Sequence, residues 1–234
     1  GLHLADANDL VQKCDLKASS SLSFRGFDEN GYLLKTLGVS AAQMLPVLPG
    51  KMPVSKLLVH AFDKTVLKVE LRSSSRYGSF TPDTLLKTLD ITVDQGARYI
   101  ELNFDIQIDK EQYVFICFMA NEHIQLAYSP QRITGMLSVF NGTNKAVSNN
   151  GKQVASEGSG VDSFEFWCPQ RRPEGQNLAL QLDTAIHFDV ENIRNGIDRP
   201  TIKPNAWVAD ISDKEPVVQL SWDQPQSIRE MNLV

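Results

Sequence analysis

The segment 53–72, PVSKLLVHAFDKTVLKVELR, contains two short runs of aliphatic and aromatic residues separated by turn residues. In the second run, Val69-Glu70-Leu71-Arg72 alternates apolar and charged side chains. This period of two is expected of a strand whose sheet has one face in water. Similar runs recur along the chain, and the sequence predicts strands at 54–62, 66–72, 85–93, 99–104, 113–119, 124–128 and 133–140. Such a series predicts an all-β fold, an antiparallel β-sandwich.

The sequence on either side of this series is less regular. A short helix is predicted at 6–13, where an Asp can cap the helix start, and a strand is predicted at 15–24. The turns at 94–96 and 109–111 are predicted to link neighbouring antiparallel strands.

A change in composition divides the chain. Residues 141–160 are mostly Asn, Gly, Ser, Lys and Thr, with few apolar side chains. We therefore predict a β-sandwich at 1–142, a polar linker at 143–160 and a further β segment at 161–234. The last element, 227–234, is predicted to be a strand cut off at the chain end. A strand at a sheet edge needs partners, so this segment should pack on the first domain or form a homo-oligomer with another copy.

Composition excludes several classes of protein. The 234 residues include 42% hydrophobic and 22% charged side chains, which is ordinary for a chain that buries a core. A net charge of −5 with scattered Lys and Arg disfavours nucleic acid and anionic lipid as partners. No apolar run has the roughly 20 residues of a membrane span, so membrane insertion is not expected. Cys14, Cys117 and Cys168 are too few and too widely spaced for a disulfide framework, and Cys117 is predicted to be the most buried free thiol.

The residues after position 190 resemble a known family of β-sandwiches. The elements of the resemblance are Asn195-Gly196, Asp198, Thr201, Trp207, the apolar run 218–222 and the segment 225–228. In that order they resemble part of a discoidin-like (coagulation factor 5/8 C-type) domain, so the segment 161–234 is predicted to be an incomplete discoidin-like β segment. The sandwich before it is predicted to have a galactose-binding, jelly-roll-like fold. The resemblance implies glycan, lipid or protein binding, and a calcium ion held by the loop that contains Asp198 and Thr201. In the alternative interpretation Asn195-Gly196 is an ordinary turn that Asp198 caps.

A second resemblance covers nearly the whole chain. The segments 41–46, 164–177 and 195–200 resemble the region that follows the catalytic part of FAD-dependent oxidoreductases from Bacteroides-type gut bacteria. The resemblance implies an accessory module, with FAD bound only by a parent or partner enzyme, and export to the periplasm or cell surface. No GxGxxG motif follows a strand in this sequence, so no cofactor is predicted for the chain itself.

The residues that often carry catalysis are dispersed. His60 lies in an apolar run, which favours a hydrogen-bonded core or edge histidine, and His123 is expected on an exposed turn. Asp105 and Asp109 flank a short run near a turn and need only be solvated. An intrinsic hydrolase is a third alternative, and it would require two carboxylates across a cleft, roughly 5 to 10 Å apart.

A sugar site is easier to assemble from the sequence, because it needs an exposed aromatic ring with planar amide or charged groups beside it. The predicted ligand-binding residues are Trp167, Gln170, Arg171, Arg172, Glu174, Asn177, Arg194 and Arg199. Trp167 and Tyr77 are the candidates for exposed stacking, whereas Trp207 and Trp222 are expected in the core. The hypothesis is a noncatalytic carbohydrate-binding or substrate-positioning accessory module. The alternative is a structural or assembly module with no small ligand, in which the loop 171–177 docks another protein or domain. For Arg171, Arg172 and Glu174 themselves, the alternative to sugar binding is an ordinary salt-bridged interdomain latch.

Overall fold

The computed structural model describes residues 8–27, 32–38, 40–76, 82–133, 140–141, 177–196, 202 and 204–229. In chain order its elements are helix α1 (Asn8–Gln12) and strands β1 (Asp15–Ala18), β2 (Leu22–Gly26), β3 (Leu33–Leu37), β4 (Ala41–Val47), β5 (Gly50–Lys51), β6 (Ser55–Ala61), β7 (Thr65–Ser73), β8 (Thr84–Val93), β9 (Gly96–Leu102), β10 (Gln107–Ile108), β11 (Gln112–Phe118), β12 (Asn121–Ser129), β13 (Phe140–Asn141), β14 (Asn177–Leu178), β15 (Leu180–Phe188), then a 3-10 helix (Val190–Arg194) and β16 (Val218–Ser221). All strand pairings given for the described residues are antiparallel, and the fold is an all-β sandwich, as the sequence predicts.

The chain forms two compact units. The central unit contains Gly26–Thr184, and the terminal unit combines Gly1–Arg25 with Ala185–Val234. The terminal unit is thus discontinuous in sequence, whereas the prediction placed continuous domains at 1–142 and 161–234. The predicted linker at 143–160 lies outside the described residues.

Two sheets build the sandwich. Sheet I has the strand order β14-β12-β6-β15-β2, with β3 also paired to β12 and β9 also paired to β6. Sheet II has the order β13-β4-β11-β7-β8. Gln43 of β4 in sheet II bonds to Asn177 and Leu178 of β14 in sheet I, so the two sheets pack on each other within the central unit.

The predicted strands agree with the structure where the apolar pattern is strong. β6, β7, β8, β11 and β12 match the predicted runs to within a few residues at each end, and β9 begins and ends earlier than predicted. The predicted strand 15–24 is divided into β1 and β2. β4 was not predicted, because its sequence AAQMLPV is poor in β-branched residues and contains a proline. Of the predicted strand 133–140, residues 134–139 lie outside the described residues.

The two predicted turns join strands that are not paired with each other, so the predicted antiparallel pairing across these turns was wrong. Residues 94–96 connect β8 of sheet II to β9 of sheet I. Residues 109–111 connect β10, which pairs with β5, to β11 of sheet II. A short turn therefore carries the chain between sheets here, and does not close a hairpin.

The core of the sandwich includes one buried polar cluster. Gln43 of β4 is fully buried, its Oε1 accepts a hydrogen bond from the backbone N–H of Leu178 (3.0 Å), and its Nε2 donates to Asn177 Oδ1 (3.1 Å). The Asn177 amide donates in turn to the carbonyl oxygen of Gln131 (2.9 Å). These bonds satisfy side-chain amides that would otherwise be buried without partners, and they link sheet II to sheet I.

The terminal unit has its own small core. Strands β1 and β16 pair with each other, and the buried residues of this core are Val11, Cys14, Leu16, Val190 and Ile193. Trp207 and Trp222 pack against them, partly buried, and their indole N–H groups donate to Ser20 O and Leu10 O, each at 2.7 Å. The predicted terminal strand at 227–234 is wrong over residues 227–229, which are not in a strand, and residues 230–234 lie outside the described range.

Candidate functional site

The outer face of sheet I carries the candidate site. Along β6, Leu57, Val59 and Ala61 are buried toward sheet II, so Lys56, Leu58 and His60 point to the opposite side. Residues directly opposite one another in an antiparallel pair share a face. On one side of β6, the register with β9 places Ala97 beside His60, Tyr99 beside Leu58 and Glu101 beside Lys56. On the other side, Gln125 of β12 lies beside His60, and Gln181 of β15 lies beside Lys56. Thr36 of β3 lies beyond Gln125.

We call this set of side chains the outer patch: Thr36, Lys56, His60, Phe62, Ala97, Tyr99, Glu101, Gln125 and Gln181. It lies entirely within the central unit. The neighbouring apolar residues of the same face, Leu58, Ala127 and Ala179, are buried and form a small cluster. The outer patch is therefore bordered by a buried apolar cluster on the same face of sheet I.

Two aromatic rings of the outer patch are exposed to solvent. Tyr99 is 54% exposed and Phe62 is 43% exposed. The ring of Phe62 meets the imidazole of His60 edge to face, with 5.4 Å between the ring centroids and an angle of 77° between the planes. This contact and the backbone hydrogen bond from Phe62 N–H to His123 O (2.9 Å) hold Phe62 at the end of β6.

Five polar side chains of the outer patch are free to bind a ligand. In the part of the chain that the structure describes, Thr36, Lys56, Glu101, Gln125 and Gln181 make no side-chain hydrogen bond or ion pair. Between them they offer hydroxyl, ammonium, carboxylate and amide groups, so both donors and acceptors are available. By contrast, the Gln43 and Asn177 amides are buried and fully engaged, as described above.

Ion pairs lie at one end of the outer patch. Asp94 bonds to Lys64 (3.3 Å) and Arg98 (3.2 Å) at the β8–β9 turn, and His123 Nδ1 is 3.3 Å from Asp63 Oδ2. These groups are solvent-exposed and contribute little to stability. His123 lies in strand β12, not on a turn as predicted, and its side chain is exposed as predicted.

His60 is half-buried, and its environment differs from the predicted one. Its Nδ1 atom is buried and has no hydrogen-bond partner in the structure. Its ring packs edge to face against the ring of Phe62. The prediction was a hydrogen-bonded histidine in the core or at a sheet edge. His60 is paired on both sides, with Gln125 and Ala97, so it is not at an edge, and the predicted hydrogen bond is not found at Nδ1.

The sequence-predicted sugar site is mostly outside the described part of the chain. Outside the described residues lie six predicted ligand-binding residues, one candidate stacking residue and the two predicted calcium ligands: Trp167, Gln170, Arg171, Arg172, Glu174 and Arg199, then Tyr77, then Asp198 and Thr201. Two predicted site residues are described, and they belong to different units. Asn177 is 1% exposed in the buried amide cluster, so its side chain has a structural role.

Arg194 holds the terminal unit together. Its guanidinium donates to both carboxylate oxygens of Glu191 (2.6 Å each) and to the carbonyl oxygens of Val11 (3.1 Å) and Cys14 (2.9 Å). The hydrogen bonds that the guanidinium donates to the Glu191 carboxylate are the main reason why the pKa of Arg194 is raised. The side chain is thus committed to contacts within the protein.

Of the two carboxylates considered for catalysis, Asp105 is held in an ion pair and Asp109 is solvated. Asp105 forms an ion pair with Lys51 (2.9 Å), which lowers the pKa of Asp105. Asp105 has a positive φ of 46°, and its N–H donates to Asn103 Oδ1 (3.2 Å), which is typical of an Asx turn. Asp109 is exposed to solvent. Among the described residues, no group of three or more His, Cys, Asp or Glu side chains is placed to hold a metal ion.

The two described thiols agree with the sequence analysis. Cys14 and Cys117 are free and buried, and Cys117 is fully inaccessible. Burial raises the pKa of Cys117 well above its ordinary value. Cys168 lies outside the described residues.

Comparison with protein-family models and with curated proteins finds no match to this chain. Within the described ranges, no helix combines the length and apolar character needed to cross a membrane.

The sequence analysis missed the outer patch, although part of its signal was visible. The i, i+2 spacing of His60 and Phe62, and of Ala97, Tyr99 and Glu101, indicates that each set shares one face of a strand. What the sequence does not reveal is that β6 pairs with β9, because two strands of the other sheet lie between them along the chain.

Proposed function

We propose that this chain is a noncatalytic carbohydrate-binding module and that the outer patch is its binding surface. The observation that carries the proposal is the presence of two exposed aromatic rings, Phe62 and Tyr99, on one sheet face. Beside them are five side chains that make no hydrogen bond or ion pair in the described structure: Thr36, Lys56, Glu101, Gln125 and Gln181. Sugars combine apolar C–H faces, which pack on aromatic rings, with hydroxyl groups, which need donors and acceptors beside the rings.

The polar groups of the outer patch suit this ligand chemistry. Gln125 and Gln181 each carry a planar amide that can donate to one hydroxyl and accept from its neighbour. Lys56 and Glu101 lie opposite each other on adjacent strands, so their charges largely offset one another. An uncharged, hydroxyl-rich ligand fits such a surface better than an ion does.

Association with an oxidoreductase is a separate part of the hypothesis. It rests on the sequence resemblance described above. In that setting the outer patch would position a glycan substrate for a partner or parent enzyme that carries the FAD.

A second candidate function is an assembly module without a small ligand. The observation that favours it is the run Tyr32, Leu33 and Leu34 at the start of β3, whose side chains are 40%, 53% and 36% exposed. Three consecutive exposed apolar residues are typical of a protein contact surface. A docked protein or domain would cover them.

The test is a glycan-array screen of the full chain beside the variants Tyr99→Ala and Phe62→Ala. Leu85→Ala is the matched control, because Leu85 is similarly exposed (51%) but lies on β8 of sheet II. We expect saturable binding that both aromatic variants weaken and the control retains. Folding of each variant is checked by its urea unfolding midpoint.

Two further arms separate the alternatives. Trp167→Ala and Arg172→Ala test the sequence-predicted loop, and EDTA tests the calcium ion predicted at Asp198 and Thr201. Binding lost only in the loop variants would move the site away from the outer patch. If the folded wild-type chain binds no glycan, carbohydrate binding is excluded and the assembly module becomes the leading function.

A further inference from the structure

We infer that the outer patch binds a neutral oligosaccharide chain lying along β6 and β9, with separate sugar rings stacked on Phe62 and Tyr99. This inference rests on the proposed function and specifies its ligand class. It concerns the length, direction and charge of the ligand.

The spacing of the two aromatic rings sets the length. Tyr99 is directly opposite Leu58, and Phe62 lies four residues further along the strand direction of β6. With a rise of about 3.4 Å per residue and about 4.8 Å between strands, the two Cα positions are roughly 14 Å apart. One pyranose ring cannot reach both aromatic side chains, whereas a chain of about three rings can span this distance.

The residues between the two rings leave room for the middle of the chain. Ala97 lies opposite His60, midway between Tyr99 and Phe62, and it is exposed. Its methyl group is the smallest side chain of the outer patch, so a sugar ring can lie over it. Gln125 is on the other side of His60, where its amide is available to hydroxyl groups of the middle ring.

The charge distribution favours a neutral chain. Next to the middle position the available polar groups, Gln125 and Thr36, are an amide and a hydroxyl. The charged side chains Lys56 and Glu101 are opposite in sign and lie together beyond Tyr99. A chain with a carboxylate on every ring would place charge beside groups that cannot neutralise it.

The experiment is calorimetric titration of the full chain with gluco-, manno-, galacto- and xylo-oligosaccharides, each from monosaccharide to hexasaccharide, with oligogalacturonides as the charged comparison. We expect affinity to rise at least tenfold from monosaccharide to trisaccharide and then to level off. Phe62→Ala and Tyr99→Ala should each weaken trisaccharide binding roughly three- to tenfold, as loss of one aromatic contact implies.

A third variant tests the middle position. Ala97→Leu keeps an apolar exposed side chain but fills the space between the rings, so it should weaken the trisaccharide and leave the monosaccharide nearly unchanged. Tyr99→Phe keeps the ring and serves as the conservative control. Retained trisaccharide affinity in Ala97→Leu would contradict the proposed path of the chain.

The remaining outcomes distinguish this inference from the proposed function. Monosaccharide affinity equal to that of the hexasaccharide, with only one aromatic variant affected, would overturn the extended site and leave carbohydrate binding in place. Tighter binding of oligogalacturonides would overturn the neutral ligand. An absence of binding to every sugar would remove both the inference and the function on which it rests.

Discussion

At the scale of single residues, the backbone of Gly26 lies directly against the backbone of β15. Gly26 has a φ of +139°, and a Cβ built on it would be 2.3 Å from Leu180 O and 2.7 Å from the Cα of Gln181. Neither backbone atom can move without disturbing the pairing of β15 with β6. We expect Gly26→Ala to lower the free energy of unfolding by roughly 2–4 kcal/mol, measured by urea denaturation.

Gly38 is the matched control for that prediction. Nothing lies within 4 Å of a Cβ built at Gly38, and its φ is not in the left-handed range. Gly38→Ala should change the free energy of unfolding by about 1 kcal/mol at most, in either direction. Equal losses in the two variants would show that the close approach at Gly26 does not constrain the fold.

Two glutamines illustrate how burial separates structural from binding roles. Gln43→Leu would leave Leu178 N–H and Asn177 Oδ1 without their partner inside the sandwich, which should cost about 3 kcal/mol of unfolding free energy. Gln125→Ala should leave the unfolding midpoint unchanged and weaken glycan binding instead. Urea denaturation and calorimetric titration of both variants would test this division, and a stability loss in Gln125→Ala would contradict it.

Some of these residue roles could be predicted from the sequence and others could not. The fully buried Cys117 follows from the continuous apolar run around it, which is typical of a strand covered on both faces. The role of Asn177 does not follow, because an Asn after a polar loop looks the same whether its amide meets solvent or a distant Gln43. Only tertiary contact decides between these roles.

At the scale of elements, a carboxylate stabilises the connection between β1 and β2. Asp213 Oδ2 accepts hydrogen bonds from the hydroxyl groups of Ser19 (2.6 Å) and Ser20 (2.5 Å), and these bonds lower the pKa of Asp213 from its ordinary 3.8. A lowered folded-state pKa means that this stabilisation is present above about pH 3.8 and is lost as pH falls through the folded value.

The lowered pKa of Asp213 predicts how the stability of the protein depends on pH. Asp213→Ala should lower the urea midpoint at neutral pH, and the difference from wild type should shrink well below pH 4, where the wild-type carboxylate is itself protonated. Asp109→Ala is the control, because Asp109 is exposed and makes no side-chain bond in the described part of the chain. A difference that stays constant with pH would show that the carboxylate charge is not responsible.

Strand positions were predicted well and strand partners poorly, for a physical reason. The alternation of apolar and polar residues is local, so β7 and β8 could be predicted from a few residues each. Pairing is set by which sheet a strand joins, and the chain passes from sheet I to sheet II between β6 and β7 and returns between β8 and β9. The outer patch depends on this crossing, so the sequence alone did not indicate it.

At the scale of the whole molecule, the terminal unit combines the two ends of the described chain. The contacts of Arg194 with Val11 and Cys14 join residues 183 and 180 positions apart, and the pairing of β1 with β16 joins residues still further apart. Such a division cannot be predicted from composition, which marks a polar stretch but not which distant segments pack together. The candidate binding surface belongs to the other unit, and this separation makes the location of binding testable.

The variant Arg194→Met tests that location, because Arg194 was itself predicted to bind sugar. The substitution removes the hydrogen bonds to Val11 O, Cys14 O and Glu191, so we expect the free energy of unfolding of the terminal unit to fall by roughly 1–3 kcal/mol. The dissociation constant for a bound oligosaccharide should stay within about twofold of wild type, since the outer patch lies in the central unit. Tyr99→Ala should instead weaken binding in a chain that remains folded. If Arg194→Met loses binding while remaining folded and Tyr99→Ala binds normally, the surface predicted from the sequence is the binding site and the outer patch is not.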